Sequence, residues 1–218
     1  MTTTARSIIY QAQRALLDTD GDRTTAADLV PMLNMAQRDI QLARPDTTAT
    51  VAAVALVDGY RQTLPDAAAV LIDITANASG SYRRITKTKL ALLDAIERDW
   101  RSKAKGDTVH FMHELETPRS FHVYPPANSG ALVEMEYSAY PVDVAAPGGD
   151  GKSSSTVTGN ISLNDQWANA LLFVTLYYAY MTDLEGVNNP QLAAAYLQRA
   201  ESMLGVQLQA SATVAPKS

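Results

Sequence analysis

The feature that most constrains the fold is a strongly apolar segment at residues 166–184. One seam with helical spacing consists of Trp167, Leu171, Val174, Tyr178 and Met181. The remaining surface is also apolar, through Leu172, Phe173, Leu176, Tyr177 and Tyr180. A helix that is apolar all round is either buried in a core or spans a membrane. The most apolar part, residues 170–181, has 12 residues, whereas a bilayer crossing needs about 20. We therefore predict a central core helix.

Helices are also predicted at both ends of the chain. Apolar residues recur with helical spacing in residues 5–16 and 29–43, and a run of turn formers separates the two segments. Candidate caps for the second helix are Thr24, Thr25 and Asp28. A last helix is predicted after residues 188–190, with one apolar face made by Leu192, Tyr196, Ala200 and Met203.

The middle of the chain has the patterns of a sheet. We predict strands at residues 47–57, 108–112, 120–124 and 131–137, a short helix start at 64–67 and an amphipathic helix at about 87–100. The apolar face of that helix is assigned to Leu90, Leu93, Ala95, Ile96 and Trp100. In the last strand, Leu132, Glu134 and Glu136 alternate with apolar residues, which is typical of a sheet with one solvated face.

Together these patterns predict an α+β fold, in which N- and C-terminal helices form a bundle and an antiparallel β-rich lobe is inserted between them. The predicted parts are a helical bundle at 1–45 and 164–209, a β-rich insertion at 46–163 with one short helix at about 87–100 and a flexible loop at 141–163, and a flexible C-terminal tail at 210–218. The loop is rich in Gly and Ser, and the tail in small residues.

Composition excludes several classes of function. The 218 residues contain no cysteine, which excludes a disulfide framework, a thiolate metal site and a cysteine nucleophile. The three histidines leave little material for imidazole chemistry. The net charge of −5 argues against a surface built wholly for nucleic acid. The first six residues lack the pattern of a secretory signal. We expect a soluble protein, made and used in a reducing cytoplasm or in a particle assembled there, that is not an enzyme and has no catalytic, cofactor-binding or metal-binding residues.

Three local patterns imitate known sites. Gly151-Lys152-Ser153 matches a relaxed phosphate loop, but no apolar helix follows it, so a surface loop is favoured and a small nucleotide-binding protein remains the alternative. Asp18, Asp20 and Asp22 imitate the start of a calcium loop without its glycine and glutamate positions. The three histidines are His110, His113 and His122; His110 and His113 have opposite strand parity, which favours sheet-surface side chains over a metal site.

One charged segment stands out from the rest of the sequence. Residues 83–105 hold 8 of the 18 basic residues within 23 positions. Two interpretations are open: a solvated face, or an electrostatic contact with an acidic partner surface or DNA phosphates. The candidate interface residues are Arg83, Arg84, Lys87, Lys89, Arg98 and Arg101.

An ordered series of short motifs resembles the phage head-to-tail adaptor family, also called connector or tail tubular protein A-like proteins. It begins with residues 24–46, continues through 64–77 and the pairs Arg84-Ile85, Leu93-Asp94, Asp99-Trp100 and Val109-His110, and ends with 118–126 and 133–141. The likeness covers residues 5–205 in order. Two departures are Thr25-Ala26, where the family often has an aromatic or acidic pair, and the variable loop from Pro147.

The resemblance implies a structural virion protein without catalytic residues. Such subunits form a ring, usually of twelve copies, at the head–tail interface between the portal protein and the tail nozzle or tail tube protein. The ring leaves a channel for DNA passage during genome ejection, with transient non-specific contact to DNA and none to a membrane. We expect assembly in the host cytoplasm. The expected role of residues 83–105 is a contact with a neighbouring copy or with the portal.

Overall fold

A computed structural model of the chain describes residues 3–79, 82–114, 116–182 and 188–208. The chain divides into two compact units, a helical unit (Met1–Thr48 and Pro141–Ser218) and a β unit (Ala49–Tyr140). Helices lie at both ends of the sequence and strands in the middle, so the predicted α+β class is confirmed. The tail predicted at 210–218 lies outside the described residues.

Five helices occur in the described residues: α1 (Ala5–Ala15), α2 (Ala26–Ala43), α3 (Leu90–Ile96), α4 (Ala168–Met181) and α5 (Pro190–Leu204). The seven strands are β1 (Ala49–Ala55), β2 (Gly59–Thr63), β3 (Ala68–Asn77), β4 (Thr86–Lys87), β5 (His110–His113), β6 (Ser120–Ala127) and β7 (Leu132–Ala139). Among the described residues, none of the helices has the length and apolarity that crossing a bilayer requires.

The helical unit is built around α4, as the sequence predicts. Leu171, Val174 and Ala179 are fully buried, and α1, α2 and α5 contribute to the same apolar cluster. Of the three candidate caps for α2, Thr25 is the one used: its hydroxyl accepts the Asp28 N–H at 3.1 Å, while the Asp28 carboxylate accepts the Thr25 N–H at 2.9 Å.

The segment 141–163, assigned from sequence to a flexible loop of the insertion, groups with the helical unit. Its side chains Val144, Val157, Ile161 and Leu163 are buried in the same cluster as the helices. Its backbone is bound by buried polar side chains of the helices: the Asn34 amide donates to the Val144 carbonyl at 3.0 Å, and the Gln37 carbonyl accepts the Ser162 N–H at 2.6 Å. Most of the segment forms neither a helix nor a strand. Its sequence is therefore that of a loop, although its position is fixed by these contacts.

The β unit contains two sheets with a shared apolar cluster. The first is antiparallel, with strand order β1-β7-β3, and the second has the order β2-β6-β5-β4. Phe111, Phe121, Val133 and Met135 are fully buried between them. β4 and β5 are parallel, so the lobe is not wholly antiparallel as expected. The cause is local: α3 lies between these two strands, and a helical crossover joins parallel neighbours.

Two predictions for the β unit are wrong in detail. Residues 64–67 form a turn closed by the Ala68 N–H donating to the Pro65 carbonyl at 2.9 Å, not a helix start. The helix predicted at about 87–100 is shorter, because α3 ends at Ile96 and Trp100 begins a separate 3-10 turn. The alternation predicted for β7 is confirmed over residues 132–135, where Val133 and Met135 are buried and Leu132 and Glu134 are exposed, but Glu136 and Tyr137 are both half-buried.

Candidate interaction surface

The basic segment at 83–105 lies in the β unit, and its cations fall into two groups. Three of them are paired with carboxylates: Arg101 with Asp94 at 2.7 Å, Lys103 with Glu97 at 2.5 Å and Lys105 with Asp58 at 2.6 Å. Exposed pairs of this kind contribute little to stability, because water screens them. Their charges are already largely compensated, so Arg101 is a weaker candidate for partner binding than the sequence suggests.

The other five cations of the segment are exposed: Arg83, Arg84, Lys87, Lys89 and Arg98. Within the part of the chain that the structure describes, no carboxylate lies within ion-pair distance of any of them. Arg83 and Arg84 precede β4, Lys87 lies in β4, and Lys89 and Arg98 flank the two ends of α3. These uncompensated charges are available to an acidic partner.

Helix α3 places two apolar side chains among these cations. Leu92 is 53% exposed and Ile96 is 75% exposed, although the sequence assigns Ile96 to the core face of the helix. That assignment is wrong because α3 has only seven residues, of which Leu93 alone is buried. We call Leu92, Ile96 and the five unpaired cations the α3 surface. The cations were identified from sequence; Leu92 and Ile96 were missed as surface residues.

A buried tryptophan fixes α3 to the second sheet. Trp100 is fully buried, its ring lies 5.3 Å from that of Tyr60 in an edge-to-face contact, and its indole N–H donates to Asp94 at 2.7 Å. The Arg101 guanidinium covers the same ring at 4.4 Å from its centroid. Asp94 lies in α3 and Trp100 in the following 3-10 turn, so these contacts hold both elements in a defined position.

Two carboxylates of α3 and its C-terminal end, Asp94 and Glu97, are held in their charged form. Hydrogen bonds from Arg101 and then Trp100 lower the pKa of Asp94 below 3.8. Hydrogen bonds from Lys103 and then Tyr124 lower the pKa of Glu97 below 4.5. A carboxyl group with a lowered pKa contributes stability that is present above its usual pKa and is lost as the pH falls through the lowered value. These contacts are therefore intact near neutral pH.

The three histidines have separate local partners. His110 Nδ1 lies 2.6 Å from the Thr86 hydroxyl oxygen, and His113 Nε2 lies 3.0 Å from the Pro118 carbonyl oxygen. His122 stacks on the Tyr60 ring with centroids 5.7 Å apart, and burial, followed by nearby Arg61 and Arg101, lowers its pKa below 6.5. In the described residues, no group of three or more His, Cys, Asp or Glu has metal-binding geometry.

The turn at Asp18–Asp22 has a structural role in the helical unit. The Asp18 carboxylate accepts three backbone N–H groups, from Asp22 at 3.1 Å, Arg23 at 2.9 Å and Thr24 at 2.6 Å. Burial acts to raise the pKa of Asp18, but these hydrogen bonds and the nearby Arg23 charge outweigh it, so the pKa is lowered below 3.8. The side chain that imitates a calcium ligand therefore shapes the connection between α1 and α2.

The Gly151-Lys152-Ser153 loop faces the N-terminus of α2 with its carbonyl groups. The Gly151 carbonyl accepts the Ala27 N–H at 2.9 Å, and the Lys152 carbonyl accepts the Ala26 N–H at 3.0 Å. A phosphate loop presents its own N–H groups to the ligand, but here the Lys152 N–H donates to the Asp150 carboxylate at 3.1 Å and the Ser154 N–H donates to the Gln13 side-chain carbonyl at 3.3 Å. The Lys152 ammonium lies 2.9 Å from Asp22 and is paired as well. This geometry opposes the nucleotide-binding alternative.

We expect neither the wild-type chain nor Lys152→Ala to bind ATP or GTP in equilibrium dialysis. Since the pair with Asp22 is exposed, the substitution should change the free energy of unfolding very little. Asp22→Asn breaks the same pair without removing the lysine and serves as the control. Nucleotide binding that disappears in Lys152→Ala and persists in Asp22→Asn would restore the nucleotide-binding alternative.

Comparison with known proteins gives one match across nearly the whole chain. The family model described as SU10 adaptor protein matches residues 3–217. A search of curated proteins finds no match.

Proposed function

The chain belongs to the SU10 adaptor protein family, whose members are structural phage proteins, and from this premise we propose that it is a head-to-tail adaptor. In this role it forms a ring between the portal and the tail nozzle or tail tube, and DNA passes through the central channel. The family match over residues 3–217 carries this proposal. The resemblance read from the sequence adds the expectation of twelve copies and of assembly in the host cytoplasm.

The α3 surface is the part of the molecule that best fits a partner contact in such a ring. Arg83, Arg84 and the other free cations supply charge that steers an acidic surface, while Leu92 and Ile96 supply apolar area to bury once it has docked. We propose that this surface contacts the portal or a neighbouring copy. Repetition around the ring lets a weak contact at each subunit give a stable assembly.

The proposed function is tested by negative-stain imaging of the purified protein with and without its portal. We expect rings on the portal vertex, with a central opening wide enough for duplex DNA. The ring need not form without the portal, because subunits can order at the moment of docking. A chain that remains monomeric and does not bind the portal under any condition tested would contradict the adaptor role.

Charge reversal tests the α3 surface separately. Replacing Arg83 and Arg84 with Glu should weaken portal binding or ring formation at least about tenfold at low salt, with a smaller difference at high salt, because salt screens exposed charges. Binding is measured by surface plasmon resonance on immobilised portal, and ring formation by sedimentation. Arg6→Glu with Arg61→Glu produces the same change in net charge at exposed arginines outside the segment. Equal behaviour of the two double variants would exclude the α3 surface from the contact.

A further inference from the structure

Strand β1 has a regular, open edge. It lies at the end of the sheet β1-β7-β3, and all seven of its residues pair with β7 without a register shift. Leu56, which follows it, donates its N–H to Ala131 at 2.8 Å, towards β7. Since backbone groups alternate along a strand, those of Val51, Ala53 and Ala55 point away from β7. Within the described residues, none of these outward groups has a hydrogen-bond partner.

The other three sheet edges are protected. β3 pairs with β7 through three register shifts, and residues 83–85 bind its far side, where the Asn77 N–H donates to Arg83 and the Ile85 N–H donates to Thr75, both at 2.9 Å. β2 has a register shift after Gly59 and exposes Arg61. β4 has only two residues, one of them the exposed Lys87. Bulges, short length and charge are the usual devices that prevent edges from pairing.

β1 has none of these devices. Its sequence, Ala-Thr-Val-Ala-Ala-Val-Ala, has no charge, proline or glycine, and Val51 is 62% exposed. A flat uncharged edge of this length is a template for another strand. The small side chains leave room for a partner strand that is itself built of small residues. The edge therefore fits an extended, uncharged segment of about six residues.

The same chain contains a segment with this chemistry outside its described part. Residues 210–215 read Ala-Ser-Ala-Thr-Val-Ala, with no charge, and are followed by Pro216, which has no N–H to continue a ladder. Six extended residues span about 20 Å, which matches the length of the β1 edge. We propose that β1 of one copy pairs with residues 210–215 of a second copy as an added strand.

This inference rests on the proposed ring, because it supplies a contact of the type that rings require. Each copy gives a tail segment and receives one at a different surface, so the contact is heterologous and can repeat around a closed ring. The pairing of β1 with the tail segment of a second copy also uses main-chain hydrogen bonds, which need no particular side chains beyond small, uncharged ones.

The first test is hydrogen exchange with a synthetic peptide of residues 209–218. The acceptor is the full chain with Thr213→Pro and Val214→Pro, so that its own tail cannot pair. Two consecutive prolines are used because successive N–H groups of a strand point to opposite sides; in either register, one of the two removed N–H groups would have faced β1. We expect the peptide to slow exchange at the Val51, Ala53 and Ala55 amides at least about tenfold by NMR. Adding Ala53→Pro to the acceptor should abolish this protection, whereas Ala53→Ser should retain it. Unchanged exchange at millimolar peptide would overturn the proposal.

The second test distinguishes a neighbouring copy from the chain's own tail. One variant carries Ala53→Pro and an intact tail; the other carries Thr213→Pro with Val214→Pro and an intact edge. Each alone should sediment as a monomer, and an equimolar mixture should form a dimer, since only one tail and one edge remain usable. If the wild-type edge is already protected in a monomer and the mixture does not associate, the tail binds its own chain and the proposal is wrong.

Failure of the adaptor function and failure of the proposed strand pairing give different results. If wild-type protein forms no rings with portal, the adaptor function fails whatever the peptide does. If rings form equally well after Thr213→Pro with Val214→Pro, and the β1 amides exchange rapidly within these rings, the proposed pairing between β1 and residues 210–215 is wrong. The proposed adaptor function is unaffected by that result. Thermal unfolding by circular dichroism checks that Ala53→Pro remains folded.

Discussion

Replacing Trp100 with alanine should lower the free energy of unfolding of the β unit by about 3–5 kcal/mol. The ring is fully buried and packs with Leu93 and Met112 in one apolar cluster, so its removal leaves a large cavity. The substitution also deprives Asp94 of the indole donor at 2.7 Å and Arg101 of the ring that it covers. Both losses act on the attachment of α3 to the sheet.

Urea unfolding by circular dichroism, combined with hydrogen exchange resolved by segment, measures this effect. Exchange should become faster throughout Ala49–Tyr140, while Trp167 fluorescence reports on the helical unit. Leu92→Ala, at an exposed position in α3, should change the free energy of unfolding by less than about 0.5 kcal/mol. Similar losses in the two variants would mean that Trp100 does not anchor α3. For the contact that we propose between the α3 surface and the portal or a neighbouring copy, Trp100→Ala should also weaken binding, because that surface depends on the anchor.

Helix positions were largely predictable because helical periodicity is a local signal. The apolar faces of α1, α2 and α5 and the all-round apolarity of α4 appear within each segment itself. Capping is local too, which is why Thr25 and Asp28 could be named as candidates from sequence. The α+β class followed from the order of these segments.

Details that depend on distant residues were not predictable. The helix α3 ends at Ile96 and Trp100 is buried in a separate 3-10 turn, so an apparent five-residue apolar face is divided between core and surface. Strand β2 was missed because its sequence, Gly-Tyr-Arg-Gln-Thr, is polar; it forms by pairing with β6, far along the chain. The five unpaired cations were visible in the sequence, but which basic residues are neutralised depends on folded geometry.

The segment 141–163 is the clearest case of this dependence. Its Gly- and Ser-rich sequence predicts flexibility, but Gln13, Asn34 and Gln37, buried on α1 and α2, bind its backbone. Gln13 donates to the Lys152 carbonyl at 2.8 Å, over a separation of 139 residues. Buried amide side chains within an apolar helical stripe were the available signal. A polar group in that position must find a partner, and here the partner is the loop.

Asn34→Ala should lower the free energy of unfolding of the helical unit by about 2–4 kcal/mol, because two buried backbone groups lose their partner. Asn34 bonds both of them: its amide donates to the Val144 carbonyl at 3.0 Å, and its carbonyl accepts the Val144 N–H at 2.9 Å. Urea unfolding gives the free energy, and hydrogen exchange should become faster at residues 142–146, where water reaches the released backbone first.

Met35→Ala is the matched control, since Met35 is the next residue of α2 and is 45% exposed. It removes the same number of non-hydrogen side-chain atoms as Asn34→Ala but no hydrogen bond to the segment, so exchange at residues 142–146 should stay slow. If Asn34→Ala leaves that exchange unchanged, the apolar contacts of Val144 and Val157 hold the segment without the amide. If exchange becomes faster there while α2 and α4 remain protected, side-chain amides fix a segment whose own sequence specifies no regular structure.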